Sequence, residues 1–309
     1  MDARPTILIF DSGLGGLTVF HEVARVRPDA SYVYVADDAF FPYGEHTEEQ
    51  LIGRVMPLMG TLIAAHSPDL AVIACNTAST LVLPHLRARF ATPFVGTVPA
   101  VKPACSASRT KLVSVLGTKA TVAREYTRAL IREFGQGCEV TLVGSAHLAG
   151  LAEAALQGEA IDDDEIAREI APCFVAAAGG DGSRRTDTVV LACTHYPLLL
   201  DRLARLAAWP VDWIDPAPAI ARRVSDLIGP AIAGASPGTA QAIFTSGAAP
   251  SAALASVLRR FGLGGPPSLP AFGEGGPRPQ AAGRVGVTAV EEPHPTSLRS
   301  ATLPEGGEG

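Results

Sequence analysis

The sequence predicts an α/β protein made of two pseudo-symmetric α/β domains with parallel-rich sheets and an active site in the cleft between them. Short apolar, β-branched runs alternate with longer helical patterns as far as residue 263, which is the pattern of a doubly wound fold. Two of those runs also match each other. Val72-Ile-Ala-Cys75-Asn-Thr77 has a partner in Val190-Leu-Ala-Cys193-Thr-His195, and a weaker echo links Asp11-Ser-Gly13 with Gly117-Thr-Lys-Ala-Thr121. Two echoes in the same order indicate two similar halves.

Taken in order, Thr6–Phe10 reads as a strand, then a turn over Asp11–Gly16 and a helix from near Leu17. Tyr32–Ala36 is a second strand. Thr47-Glu-Glu-Gln50 is a capping box that opens a helix, and Pro57 is expected to kink or break that helix. Leu70–Ala74 is a strand, followed by Cys75 and a helix from about Ala78. Leu112–Leu116, Glu139–Val143 and Thr188–Ala192 are further strands, and Val211–Ile214 and Gln241–Thr245 are shorter ones. The first domain is expected over 1–97 plus 210–263 and the second over 98–209. From about Gly264 the chain is crowded with Gly, Pro, Ser and Glu and shows no period, so 264–309 is expected to be a disordered tail.

Composition narrows the function. A hydrophobic content of 47% supplies a core, and 18% charged residues are too few for a disordered or fibrous chain. A net charge of -6 argues against a nucleic-acid partner, because no excess of cations exists to neutralise phosphates. Residues 1–5 do not open a secretory signal, and no apolar stretch approaches the ~20 residues of a membrane span. A soluble cytoplasmic protein with no membrane partner is therefore expected. The 5 cysteines are widely and irregularly spaced, which suits neither a disulfide framework nor a zinc site, and no metal is expected.

In open α/β sheets, ligands bind beyond the carboxyl ends of the strands. Both repeated cysteines lie at such ends, so each half is expected to supply one thiol to a shared cleft. Two thiols on opposite sides of a tetrahedral carbon suit removal and return of an α-proton. The free thiol pKa of about 8.5 lets a thiolate and a thiol coexist near neutral pH, and reversing the reaction only exchanges their roles. Asp11 and His195 are placed to assist the thiols on their respective sides. Ser12, Asn76, Thr77, Thr118, Thr121 and Thr194 are small hydrogen-bonders at strand ends, suited to carboxylates and an ammonium group. Tyr43 and Gly44 follow Pro42 in a loop able to offer backbone contacts. The glycines of Asp11-Ser-Gly-Leu-Gly-Gly16 free backbone N–H groups to meet a carboxylate. That turn is no dinucleotide fingerprint, since Thr18 occupies the third glycine position, and no Gly-Lys-Ser/Thr follows to make a P-loop. Only Lys102, Lys111 and Lys119 occur, with no phosphate loop beside them, so pyridoxal phosphate is not expected. Cys105, Cys138 and Cys173 read as structural.

Three other readings stand beside this one. An aspartate racemase shares the two-thiol logic. A cysteine hydrolase would use Cys193 with His195 but leaves Cys75 unexplained. A two-lobed binding protein has the same cleft without the chemistry.

The segments Phe10-Asp-Ser-Gly-Leu-Gly-Gly-Leu17, Ala36-Asp37 with Pro42-Tyr-Gly44, Ala74-Cys-Asn-Thr-Ala78, Gly117-Thr118 with Thr121, and Leu191-Ala-Cys-Thr-His-Tyr-Pro-Leu198 resemble the bacterial glutamate racemases, in order, from about residue 6 to 262. The resemblance implies two α/β domains around the site and racemisation of L- and D-glutamate without a cofactor. It implies supply of D-glutamate for peptidoglycan, a cytoplasmic location and a homodimer. It assigns Cys75 and Cys193 as the acid–base pair and Asp11 and His195 as their assistants. Asp11-Ser12, Tyr43-Gly44, Asn76-Thr77 and Thr194-His195 become substrate-binding pairs. Glu153 matches a glutamate the family carries near the site. The stretch before it, Ser145-Ala-His-Leu-Ala-Gly-Leu-Ala, departs from the family's Cys-Pro form, which leaves Glu153 and His147 without a settled role.

Overall fold

A computed structural model describes residues 4–135, 137–177 and 184–264, which carry two parallel sheets. The strands are β1 (Thr6–Asp11), β2 (Ser31–Ala36), β3 (Leu70–Ile73), β4 (Phe94–Gly96), β5 (Leu112–Thr118), β6 (Glu139–Ser145), β7 (Thr188–Ala192), β8 (Asp212–Ile214) and β9 (Ala240–Phe244). The first sheet runs β4-β3-β1-β2-β9 and the second β6-β5-β7-β8. Read from the other edge, the second sheet is β8-β7-β5-β6, so β1 corresponds to β5, β2 to β6, β3 to β7 and β4 to β8. The internal repeath in the sequence is thus a repeat of topology, and the two Ala-Cys segments follow equivalent strands.

The expected boundary at 209/210 falls just before β8. That boundary puts β8 with the first half, yet β8 pairs with β7 through Thr188↔Asp212 and Val190↔Ile214. The chain returns to the first sheet only after β8, and β9 extends that sheet by pairing with β2. β4 carries no readable period because only 3 residues pair.

The strands are apolar on both sides because helices cover both faces of each sheet. Along β1, Ile7 and Ile9 enter one core cluster while Leu8 and Phe10 enter the other. Along β7, Val189 and Leu191 face one cluster, Val190 and Ala192 the opposite one. Each sheet is therefore a wall between two cores. Polar groups find their outlet at the strand ends, where the next residue leaves the hydrogen-bonded ladder.

The helix Glu48–His66 begins at the capping box read from sequence. Thr47 Oγ1 accepts from Gln50 N at 3.3 Å, and Gln50 Oε1 accepts from Thr47 N at 2.9 Å. It runs unbroken through Pro57, contrary to expectation. Pro57 and Gly53, four residues earlier, both face solvent. The carbonyl that loses its partner there is left to water, while Leu51, Val55, Leu58, Met59 and Leu62 keep the opposite face buried. The helix after Cys75 starts at Asn76, two residues earlier than expected, with Cys75 in its N-cap position. The expectation for the tail falls on residues 265–309, outside the described residues. Among the described residues no helix is long and apolar enough to cross a membrane.

Replacing Thr47 with Ala removes one half of the capping box and is expected to cost about 1 kcal/mol. Urea unfolding should show a lower midpoint at an unchanged slope.

Candidate active site

The carboxyl ends of both sheets border one narrow cavity. It is lined from the first sheet's side by Ser12, Phe41, Pro42, Tyr43, Gly44, Cys75, Asn76 and Thr77, and from the second by Thr118, Thr121, Ala149, Cys193, Thr194 and His195. Cys75 follows β3 and Cys193 follows β7, and each is 6% exposed. The thiols therefore reach the same space from topologically equivalent positions. All 5 cysteines are free.

The two sulfurs have different company. Cys75 Sγ lies 3.5 Å from Ser12 Oγ. Burial, reinforced by the negative charge of Asp11, pushes its pKa up to about 12, so Cys75 rests as a thiol. Cys193 Sγ lies 3.7 Å from His195 Nδ1. His195 Nε2 is 2.7 Å from Glu153 Oε1. Burial works against a charge on this ring, but its hydrogen bonds to Cys193 and Glu153 prevail and hold its pKa well above the ordinary 6.5. A cation therefore stands beside Cys193, whereas an anion stands behind Cys75.

Asp11, unlike the other residues expected to contact substrate, is not among those that line the cavity. It is 0% exposed because its carboxylate turns back into the glycine turn, where Oδ2 accepts from Gly13 N at 3.2 Å and Gly16 N at 2.8 Å. Burial, partly offset by His195, raises its pKa. Its neighbour Ser12 reaches the cavity instead. The turn's N–H groups do meet carboxylates, but the protein's own: Leu14 N donates to Glu153 Oε1 at 2.5 Å. The glycines are needed for close approach. A Cβ on Gly15 would strike the His195 ring and backbone, and one on Gly16 would strike Asp11 and Ala74.

Thr77, Thr118 and Thr121 join the halves by their hydroxyls. Thr118 and Thr121 Oγ1 are 2.9 Å apart, and Thr77 Oγ1 lies 3.4 Å from each. Asn76 is 2% exposed, and both its side-chain oxygen and nitrogen lack a protein partner. A buried amide of this kind lining a cavity is suited to a polar ligand. Tyr43 is tied down from behind, its hydroxyl donating to Asp37 Oδ2 at 2.6 Å. Asp37 also accepts from Arg54 Nη2 at 2.5 Å and from Thr245 Oγ1 at 2.6 Å.

Sequence reasoning passes over this support. Arg54 and Thr245 lie 17 and 208 residues from Asp37, and only the β2–β9 pairing brings Thr245 close. It also passes over Phe41 and Ala149 in the cavity wall. His147 lies outside the cavity, exposed beside Glu169 at 3.1 Å and Glu165 at 3.5 Å. Of the other cysteines, Cys173 is buried in the second sheet's core, and Cys138 Sγ donates to the Cys105 carbonyl at 3.6 Å. Among the described residues no cluster of His, Cys, Asp and Glu is arranged to hold a metal ion.

Comparison with known proteins gives this geometry a context. Residues 17–224 match the family described as Asp/Glu/Hydantoin racemase. The glutamate racemase of Brucella anthropi is 56% identical over 230 residues, covering 74% of this chain and 81% of that protein. The glutamate racemase of Brucella canis is 55% identical over 233 residues, covering 73% and 83%. The crystal structure of Escherichia coli glutamate racemase, in complex with L-glutamate and the activator UDP-MurNAc-ala, superposes with a TM-score of 0.75 at 39% identity, covering 85% of this chain and 97% of that one.

Glu153→Gln keeps a hydrogen-bond acceptor near His195 and removes the negative charge. The imidazole should then titrate at lower pH than in the parent protein, followed by NMR of the ring carbons. The raised pKa stabilises the fold fully below the unfolded value of 6.5 and loses that contribution as pH rises through the folded value. The variant should therefore lose it earlier on the alkaline side.

Proposed function

The chain belongs to the Asp/Glu/Hydantoin racemase family, and from this premise we propose that it interconverts L- and D-glutamate by moving a proton across Cα between Cys75 and Cys193. The observation that supports this most is the meeting of two thiols, from repeat-equivalent strand ends, in one buried cavity. The choice of glutamate rests on the curated relatives and on the Escherichia coli protein that holds L-glutamate.

In each direction one sulfur, as thiolate, takes the α-proton and becomes a thiol. The opposite thiol gives its proton to the other face of the planar carbanion and becomes the thiolate. Atoms and charge balance within the pair. The His195 cation favours negative charge on the Cys193 sulfur, 3.7 Å away, while Cys75 starts as the proton donor. For Cys75 to act as base, its proton must have somewhere to go. Asp11, the buried carboxylate on that side whose basicity burial has raised, is the proposed acceptor. The carbanion is stabilised by donors fixed before the substrate arrives: Ser12, Asn76, Thr77, Thr118, Thr121 and Thr194 with the Tyr43-Gly44 backbone. In a dry cleft these act at full strength, without the reorganisation that water would require. Glu153 works on the reaction through His195.

The same reading carries from the family resemblance a supply of D-glutamate for peptidoglycan, a cytoplasmic location and a homodimer. It also divides the chain at the crossover after β8, with β5–β8 as the second domain.

Cys75→Ala and Cys193→Ala are each expected to lower racemisation in both directions by about 10³-fold or more. Proton NMR of L-glutamate in D₂O without added cofactor should show loss of the Cα signal alongside the D-isomer. Substantial turnover by either variant would defeat the two-thiol mechanism, and faster reaction with aspartate in a panel of amino acids would overturn the substrate.

A further inference from the structure

Two of the three lysines are engaged within the fold. Lys102 Nζ lies 5.4 Å from the centre of the Phe134 ring, and Lys111 Nζ donates to the Cys105 carbonyl at 2.9 Å. Lys119 is exposed, and among the described residues its ammonium has neither an ion pair nor a hydrogen bond. The root of the side chain is nonetheless fixed. Lys119 opens the helix Lys119–Ala123 directly after Thr118, whose Oγ1 caps that helix by accepting from Thr121 N at 3.1 Å. Gly144 of β6 lets the lysine stem lie close, since a Cβ there would stand 3.1 Å from Lys119 Cα and 3.4 Å from its Cγ.

A wider cavity, about 530 Å³, lies beside the narrow one that holds the thiols. The two share Pro42, Gly44, Thr118 and Ala149 as a common wall. Lys119 lines the wider space, and so do two carboxylates, Glu45 and Glu165. Glu165 is matched by His147 Nδ1 at 3.5 Å. Glu45 follows Gly44 directly, is exposed, and its carboxylate has no partner among the described residues. Two opposite, unpaired charges therefore stand in the outer cavity. Apart from His195 and the cysteines, the polar side chains lining the inner one are uncharged. In a concave space with protein walls, fixed charges act on an ion more strongly than they do on an open surface.

Resting on the racemase reading above, we infer that Lys119 is a specificity-determining residue for an acidic substrate: its ammonium attracts and holds a carboxylate of glutamate at the mouth of the thiol cavity, and Glu45 opposes the same anion. No bond is made or broken in this step, and Lys119 has no part in the proton transfer between the sulfurs. Its hold is the same on the substrate and on the carbanion derived from it. Losing it should weaken binding and leave the chemical step alone, so KM rises and kcat stays.

The test is steady-state racemisation of L- and D-glutamate over a range of salt concentrations, with four variants at these two exposed positions. At low salt, Lys119→Gln should raise KM about 3-fold and Lys119→Glu about 10-fold, with kcat kept. Lys119→Arg should restore the parent KM, and Glu45→Gln should lower it. All of these differences should shrink as salt rises, because counterions screen exposed charges. A KM for Lys119→Glu no higher than for Lys119→Gln overturns the inference and leaves the racemase reading intact. So does a rise in KM for Glu45→Gln, or a loss that salt does not diminish. Failure of the parent protein to racemise glutamate defeats the earlier reading instead.

Discussion

The junction on which the site depends is the one Glu153 oxygen shared by two halves of the chain. Oε1 accepts from the Leu14 amide of the turn after β1 and sits 2.7 Å from His195, which follows β7. A carboxylate largely withdrawn from water, as Glu153 is, is costly unless it is paired and hydrogen-bonded. Here its partners come from opposite sheets, so the charge is satisfied only when the two strand-end surfaces meet in register. The same contact holds the His195 ring against Gly15 and keeps it charged beside Cys193. Position and electrostatics are thus set by one constraint.

That constraint explains the glycine turn. The backbone of residues 13–16 must pass close to a histidine ring on one side and to Asp11 on the other, and a methyl group at Gly15 or Gly16 would force them apart. Its amides are then spent on Asp11, Glu153 and His195. The groups left to face the cavity are the unpartnered amide of Asn76 and the hydroxyls that bridge Thr77 to Thr118 and Thr121. The Asp37–Arg54–Thr245 cluster does for Tyr43 what Glu153 does for His195, fixing from behind a residue that faces the cavity.

A repeated fold nevertheless yields an unsymmetrical site. The topologies of the two sheets match strand for strand, yet one sulfur is backed by a buried carboxylate and the other by an imidazolium. The proposed reaction does not require chemically identical bases on the two faces of the carbon. Burial raises the proton affinity of both Cys75 and Asp11.

Much of this is legible in the primary structure. The Ala-Cys repeat, the apolar runs and the Thr47 capping box are local signals, written in residues that are neighbours in sequence. They determine the strands, the duplication and the pair of thiols. Local signals misjudge Pro57, because the harmlessness of that ring depends on which side of the helix faces water. They do not show that β8 pairs with β7, because a strand 3 residues long carries no mark of its neighbour. They leave Glu153 unsettled and Arg54 and Thr245 unnoticed. What a side chain contacts across 42 or 208 residues of chain is decided only when the sheets twist and pack. Sequence alone specified which atoms are able to carry a proton. The packing of one sheet's end against the other decided which of them is charged and which is sealed from solvent, because burial and pairing are properties of a surrounding that no short segment contains.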